Sequence, residues 1–180
     1  MTATIRTLSS RVVYENPWVR VREDAIERQD GSEGVYAVVE KNEGALVIPW
    51  DGERVTLVGQ VKYPVGGFFW EFPQGAIDDA QAEPEETARA ELAEETGLRA
   101  GRLEHLGRLF YSYGLSSQGF DLWLATDLTQ GEPAREPTEL GMRTVAVTRD
   151  EFDAMVRSGE IADAASLGAW ELLRIRGVAL

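Results

Sequence analysis

The sequence predicts an α/β domain in which a mixed β-sheet lies between helical layers, preceded by a small N-terminal antiparallel sheet. Segments typical of strands alternate with one central and two terminal segments typical of helices, which is the pattern of an α/β fold. The 180 residues, of which 43% are hydrophobic, suffice for one compact domain. An alternating polar and apolar stretch precedes the first core strand, so we expect an N-terminal β-sheet segment over 1–41 and a main domain over 42–180.

Residues 8–41 are predicted to form a three-stranded meander with strands at 12–14, 18–26 and 35–40. The dipeptide Asp30-Gly31 predicts a hairpin turn between the last two strands. Exposed strand edges have to be covered, and a second copy of the chain could cover them. A plain extension of the core sheet in a monomer fits the same strand count, so both alternatives stay open.

The main domain shows strands and helices in alternation. Pro84 suits the first turn of a helix that stops at Gly97. A capping-box pattern at Thr148 and Glu151 starts a helix that ends at Gly159, and Asp163 caps a final helix. The predicted strands lie at 45–50, 54–63, 103–113, 120–126 and 142–147.

The charge and the cysteine content exclude several classes of function. The chain has 31 acidic and 18 basic residues, a net charge of −13, which disfavours nucleic-acid backbones and anionic membranes as partners. A negatively charged substrate would need a metal ion to be held. Without cysteine there is neither a disulfide framework nor thiol chemistry. No apolar run approaches about 18 residues and no signal pattern opens the chain, so we expect a cytoplasmic protein.

An acidic stripe on the central helix is the main functional signal. Glu91, Glu94 and Glu95 stand at i, i+3 and i+4, which places three carboxylates on one helix face. Like charges at this spacing repel, so the stripe needs either full solvation or a cation. Carboxylate oxygens are suited to Mg²⁺ or Mn²⁺. A solvated acidic face remains the structural alternative.

The stretch from Gly75 to Leu98 resembles the Nudix box of the Nudix hydrolases. That pattern is Gly, five residues, Glu, seven residues, then Arg-Glu-aliphatic-any-Glu-Glu-any-Gly-aliphatic, and residues 91–98 match its last eight positions. Gly75 to Glu83 is eight steps where the pattern has six, and Glu83 to Glu91 is eight where it has nine. A loop absorbs such a change cheaply. Ala90 stands where the pattern has Arg.

This resemblance implies a Nudix-type α/β/α sandwich with Mg²⁺, or possible Mn²⁺, at the acidic stripe. It implies metal ligation by Glu91, Glu94, Glu95 and a backbone carbonyl of Gly75 or Ala76. Glu94 and Glu95 would also be catalytic. A loop glutamate from 129–141 would help to activate water, with Glu139 the first choice and Glu136 the second, although acidic loop residues also serve solubility.

Residues 60–75 resemble the ADP-ribose pyrophosphatase branch of this family. Its signature is similar at Gln60, Lys62, Trp70, Glu71 and Pro73. We therefore expect substrate binding by Lys62, Trp70, Glu71 and Tyr113. For Lys62 the alternative is an exposed strand lysine, and for Tyr111 and Tyr113 it is ordinary strand packing. The loop 114–119 lacks the proline and acidic residues of the branch, which leaves the preferred base open, and no catalytic role is expected for His105.

The resemblance implies Mg²⁺-dependent hydrolysis of a small-molecule nucleotide sugar to a nucleoside monophosphate and a sugar phosphate. ADP-ribose is favoured, and GDP- or UDP-sugars stay open. In this branch the N-terminal sheet takes part in a homodimer. The alternative function is a catalytically impaired Nudix domain that binds a nucleotide sugar as a sensor or partner module, motivated by Ala90. A purely structural acidic domain would require the match to the box to be chance.

Overall fold

A computed structural model of the chain describes residues 5–77, 83–135 and 139–177. Its elements are, in order, β1 (Arg6–Asn16), β2 (Val19–Glu27), β3 (Glu33–Glu40), β4 (Gly44–Pro49), β5 (Arg54–Lys62), β6 (Gly67–Glu71), β7 (Gln74–Ala76), α1 (Pro84–Thr96), β8 (Leu98–Phe110), β9 (Gly119–Gln130), β10 (Arg143–Thr148), α2 (Arg149–Ser158) and α3 (Ala164–Ile175).

The chain divides into two compact units, of which the first combines the N-terminal segment to residue 43 with residues 110–119. Strands β1, β2 and β3 form an antiparallel sheet in that order, which confirms the predicted small N-terminal sheet. The predicted turn is present, with Gly31 at φ 81°. Residues 110–119 attach to β3, since the Val39 N–H donates to the Leu115 carbonyl at 2.9 Å and Ser116 Oγ donates to the Val39 carbonyl at 2.8 Å.

The second unit contains residues 44–109 and those from 120 onward. Its larger sheet has the order β7-β4-β9-β8, in which β4 is parallel to β9 and antiparallel to β7. This confirms the predicted mixed sheet. A second, antiparallel sheet of order β10-β5-β6, which we did not predict, lies in the same unit.

Strand β4 is buried on both faces, as a continuous apolar run predicts. Leu46 and Ile48 pack with residues of β5, α2 and α3, whereas Ala45 and Val47 pack with residues of α1 and β9. The mixed sheet therefore separates α1 from the other two helices. This layering brings the acidic helix α1 against the strands β4 and β7.

The ends of the helices follow the sequence signals. Helix α1 starts at Pro84 and ends at Gly97, whose φ of 77° is the left-handed conformation that glycine adopts without strain. Thr148 and Glu151 form the predicted capping box of α2, and the Asp163 side chain caps α3. Strand β8 begins at Leu98, earlier than predicted, because the chain continues directly from the Gly97 turn into the sheet.

Within the described ranges, no helix has both the length and the apolar character needed to cross a membrane.

Candidate active site

Helix α1 is fixed in rotation by its apolar side. Ala88 and Leu92 are fully buried against β4 and β9. Glu91 and Glu95 lie one turn apart, and both contact β7. Two of the three predicted carboxylates are thereby brought against Gln74 and Gly75.

Glu95 is buried, with only 2% of its surface exposed. Its Oε2 accepts a hydrogen bond from the backbone N–H of Gln74 at 3.1 Å. The structural alternative of a solvated acidic face therefore does not hold for this residue, because its side chain turns toward β7 rather than solvent. Glu91 and Glu94 are half-buried.

Gly75 makes room for the Glu91 carboxylate. A Cβ built on Gly75 would overlap all three atoms of that carboxylate. A residue with a side chain at position 75 would thus push Glu91 away from β7. Ala76, the other predicted backbone ligand, is exposed at the end of the strand.

Three other carboxylates lie close enough to Glu95 to affect its titration. Burial, followed by the negative charges of Glu91, Glu139 and Glu71, raises the pKa of Glu95 to about 9, while the hydrogen bond from the Gln74 N–H opposes the rise. Burial also raises the pKa of Glu71, although the neighbouring Lys62 ammonium opposes it. The site thus concentrates negative charge where little water screens it, an arrangement typical of cation sites and of functional sites in general.

Glu139 is half-buried and belongs to this group, since its charge raises the pKa of Glu95. The loop that carries it is held by Arg135, whose guanidinium donates to the carbonyls of Glu95 at 3.1 Å and Met142 at 2.6 Å. It also donates to Thr144 Oγ1 at 2.9 Å. Arg135 therefore ties α1 to the start of β10. Glu136, the second choice for the loop base, lies outside the described residues.

The remaining predicted residues do not all meet at the carboxylates. Within the described part of the chain the Glu94 side chain has no hydrogen bond or ion pair, and its carbonyl accepts from the Ala134 N–H. Trp70 packs edge-on against Phe68, with ring centroids 5.4 Å apart. Tyr113 belongs to the first unit, and 86% of its surface is exposed.

Lys62 is half-buried and forms an ion pair with Glu71. This pair lies on the wall of a cavity of about 400 Å³, which also contains Val65, Phe69 and Asp163. The volume is in the range of small-molecule sites. Lys62 and Glu71 thus border both a ligand-sized cavity and the carboxylate group.

His105 contacts Asp121 rather than the site, with its Nε2 2.7 Å from Asp121 Oδ1. Its ring also lies against Trp123, with centroids 4.8 Å apart. These contacts account for the histidine as part of the sheet surface formed by β8 and β9.

The acidic and histidine side chains of the described ranges are not arranged as a complete set of metal ligands. Among them no three acidic or histidine residues are close enough to hold one metal ion as they are placed. The donors nevertheless suit a hard divalent cation in their chemistry, because Glu91 and Glu95 supply carboxylate oxygens beside the backbone of β7.

Sequence reasoning missed three residues that contact segments of the site: Gln74, whose side-chain amide donates to Asp163 Oδ2, Ser166, whose hydroxyl oxygen accepts from the Phe72 N–H, and Arg135. It also missed the contact of Asp163 with Gln74. Asp163 was recognisable as a helix cap, but nothing in its neighbourhood of the sequence points to Gln74. Their contacts bridge 89 positions for Asp163 and Gln74, and 40 for Arg135 and Glu95. A single sequence carries no signal for such pairs.

Comparison with known proteins places these features in context. A model of the NUDIX domain matches residues 40–165, and a model of the nucleoside diphosphate sugar hydrolase N-terminal domain matches residues 5–39. The chain is 28% identical over 163 residues to an ADP-ribose pyrophosphatase of Mycobacterium tuberculosis, covering 89% of this chain and 79% of that protein. It is 26% identical over 174 residues to an ADP-ribose pyrophosphatase of Bacillus subtilis, covering 95% and 93%.

A solved structure described as an ADP compounds hydrolase superposes with a TM-score of 0.84. It covers 96% of this chain and 93% of its own, at 20% sequence identity. At that identity the similarity shows the fold.

Proposed function

The chain belongs to the Nudix hydrolase family, and we propose that it hydrolyses the diphosphate of a nucleoside diphosphate sugar, with ADP-ribose as the favoured substrate. The observation that carries the proposal is the buried Glu95 beside Glu91, whose carboxylate occupies the side-chain position of Gly75. The two ADP-ribose pyrophosphatases similar to this chain over most of its length support the choice of substrate. GDP- and UDP-sugars are the next candidates.

We propose that Mg²⁺, or Mn²⁺ in its place, is held by Glu91 and Glu95 with a backbone carbonyl of β7 at Gly75 or Ala76. Glu94 is the remaining candidate ligand on the helix. When bound, the metal would neutralise the diphosphate oxygens and lower the pKa of an attacking water. The Gln74 N–H holds one oxygen of Glu95, so helix α1 presents this carboxylate against strand β7.

In the reaction, water adds to one phosphorus and the bridging P–O bond breaks, giving a nucleoside monophosphate and a sugar phosphate. Glu139 is the proposed acceptor of the proton from water, because it comes from a loop close to Glu95 rather than from the helix. Its loop is anchored by Arg135, which limits the movement of the carboxylate.

Lys62 and Glu71 are proposed to bind the substrate from the wall of the adjoining cavity. The Lys62 ammonium would contact a phosphate oxygen, a role that requires it to leave or share its ion pair with Glu71. Trp70 and Tyr113 stay predictions as substrate contacts, and the packing of Trp70 against Phe68 supports the structural alternative for that residue.

The test is a screen of ADP-ribose, a GDP-sugar, a UDP-sugar and nucleoside triphosphates with Mg²⁺, detecting the released monophosphate. We expect ADP-ribose to be cleaved fastest and Glu95→Gln to lose most of the activity. The exposed Glu86→Gln on the same helix is the matched charge control and should retain it. Failure of the wild-type protein to cleave any diphosphate would refute the proposal.

The second candidate function is a nucleotide-sugar binding module without turnover, which Ala90 motivates. Ala90 is exposed, and the neighbouring Arg89 pairs with Glu85 and the Ala100 carbonyl instead of the box carboxylates. Binding of ADP-ribose without release of AMP over hours would favour this function over the enzyme.

We propose a homodimer formed through the N-terminal sheet. Large apolar side chains are exposed along that sheet, with Val12, Tyr14, Trp18 and Val35 each more than half exposed. Contiguous exposed apolar residues are typical of protein interfaces. Light scattering should give the mass of two chains, and the mass of one chain at every concentration would contradict the dimer. The cytoplasm stays the predicted location.

A further inference from the structure

The N-terminus of α3 is connected to more than its own first turn. The cap residue Asp163 accepts, at its Oδ2, hydrogen bonds from the Ser166 N–H and the Ser166 hydroxyl, both at 2.8 Å. These two bonds are sufficient to cap the helix. Ser166, however, is fully buried, which is uncommon for a residue that serves only as a cap partner.

Two further hydrogen bonds reach the connection between β6 and β7. The Phe72 N–H donates to Ser166 Oγ at 2.9 Å, and the Gln74 side-chain amide donates to Asp163 Oδ2 at 3.1 Å. Between them stands Pro73, which has no N–H to donate. The connection is thus attached to α3 at both of the positions that flank the proline.

This same connection carries the candidate metal site. Glu71 precedes it, the Gln74 backbone N–H binds Glu95, and Gly75 receives the Glu91 carboxylate. One residue, Gln74, therefore contacts α3 through its side chain and α1 through its backbone. A shift of this segment would move the backbone of β7 relative to both carboxylates.

We propose that Asp163 and Ser166 are positioning residues that hold the β6–β7 connection in register with the carboxylates of α1. The inference rests on the proposed metal site and assigns neither residue a contact with metal or substrate. The Ser166 hydroxyl has a single hydrogen, which it gives to Asp163, so its oxygen is oriented to accept from the Phe72 N–H. The helix cap and the site are thereby parts of one hydrogen-bond network.

Removal of the network has a distinct cost at each residue. Ser166→Ala leaves the buried Phe72 N–H without its acceptor, which should lower the melting temperature. Asp163→Ser keeps a good helix cap, because serine is as effective as aspartate there, but the shorter side chain does not reach Gln74. Ser166→Ala changes no charge, so agreement between the two variants excludes a simple electrostatic cause.

The experiment measures Mn²⁺ binding to the purified protein without substrate by titration calorimetry, together with the melting temperature and the separate values of kcat and KM. The matched control is Thr148→Ala, which removes the side-chain cap of α2. We expect Asp163→Ser and Ser166→Ala each to weaken Mn²⁺ binding about 10- to 100-fold. This is the range found for residues that do not bind the metal but orient the residues that do. Thr148→Ala should lower the melting temperature and leave Mn²⁺ binding unchanged within about twofold.

Two results would overturn the proposal. One is that Asp163→Ser binds Mn²⁺ as tightly as the wild type. The other is that Thr148→Ala weakens Mn²⁺ binding as much as Asp163→Ser does, because the effect would then come from lost stability rather than from the β6–β7 connection. If Ser166→Ala does not fold, Asp163→Ser alone decides, since it retains the cap. If the wild-type protein binds no Mn²⁺, the proposed metal site is refuted. If the wild type binds Mn²⁺ and the variants bind it equally well, only the positioning role is refuted.

Discussion

Replacement of Glu95 by glutamine should abolish turnover and, with metal removed by a chelator, stabilise the fold at neutral and alkaline pH. The wild-type carboxyl has a pKa raised from 4.5 to about 9 in the folded protein, first by burial and then by Glu91, Glu139 and Glu71. A group whose pKa is raised by folding contributes stability below its unfolded pKa and loses that contribution as the pH rises toward its folded value. The affected window is therefore pH 4.5 to about 9.

The magnitude follows from the proton linkage. Within this window each pH unit changes the free energy of unfolding by about 1.4 kcal/mol for one proton. Between pH 4.5 and pH 7 the chelated wild type should therefore lose roughly 3 kcal/mol relative to Glu95→Gln. The glutamine keeps an oxygen that can accept from the Gln74 N–H, and its amide can donate to neighbouring carboxylates.

The assay is urea unfolding at several pH values in chelator, for the wild type, Glu95→Gln and the exposed control Glu86→Gln. The stability difference between the wild type and Glu95→Gln should grow with pH, whereas Glu86→Gln should run parallel to the wild type. Parallel curves for all three proteins would show that Glu95 is not held in a desolvated, like-charged site.

The other predictions concern the same cluster and its neighbours. Gly75→Ala should displace the Glu91 carboxylate, because the new Cβ occupies its place, and lower kcat at least about tenfold with little change in melting temperature; unchanged kcat would contradict the contact. Ala90→Arg should lower the Mg²⁺ concentration for half-maximal rate, since an arginine there can reach Glu94 one turn later, and identical half-saturation would show that support comes from elsewhere. Arg135→Lys should raise the rate of proteolysis in the loop that carries Glu139, as lysine cannot serve the three acceptors of the guanidinium together; a digestion rate equal to the wild type would exclude the anchoring role.

The parts of the fold that could be predicted are those with local signals. Pro84 and Gly97 bound α1, and the capping box at Thr148 starts α2, because each signal acts within one helical turn. The separation of the strands into two sheets could not be predicted in this way. Pairing of β5 with β10 joins residues 84 to 94 positions apart in the chain, and nothing in either strand specifies its partner.

The candidate site likewise has features with local sequence signals and features that depend on distant residues. The carboxylates of α1 could be identified from their spacing. The surroundings of Glu95 could not, because the Gln74 N–H of β7 and the Glu139 charge from the loop after β9 are both remote in sequence. Glu71 was expected to bind substrate, and the structure also places its charge against Glu95. The contacts of Asp163 and Ser166 with the β6–β7 connection were not visible in the sequence because they join separate parts of the chain.

The return of residues 110–119 to the N-terminal sheet affects how this chain can be divided or recombined. The Val39 N–H, the Val39 carbonyl and the Asn42 carbonyl are bonded by residues that lie some 75 positions later. Deleting the first 43 residues would strip that later segment of its partners, and grafting those 43 residues onto another protein would leave two donors and one acceptor behind. The two family models meet at residues 39 and 40, but dividing the chain there would not give two complete structural units, because residues 110–119 belong with the N-terminal one. A hybrid gene that exchanges the N-terminal sheet must exchange residues 110–119 with it.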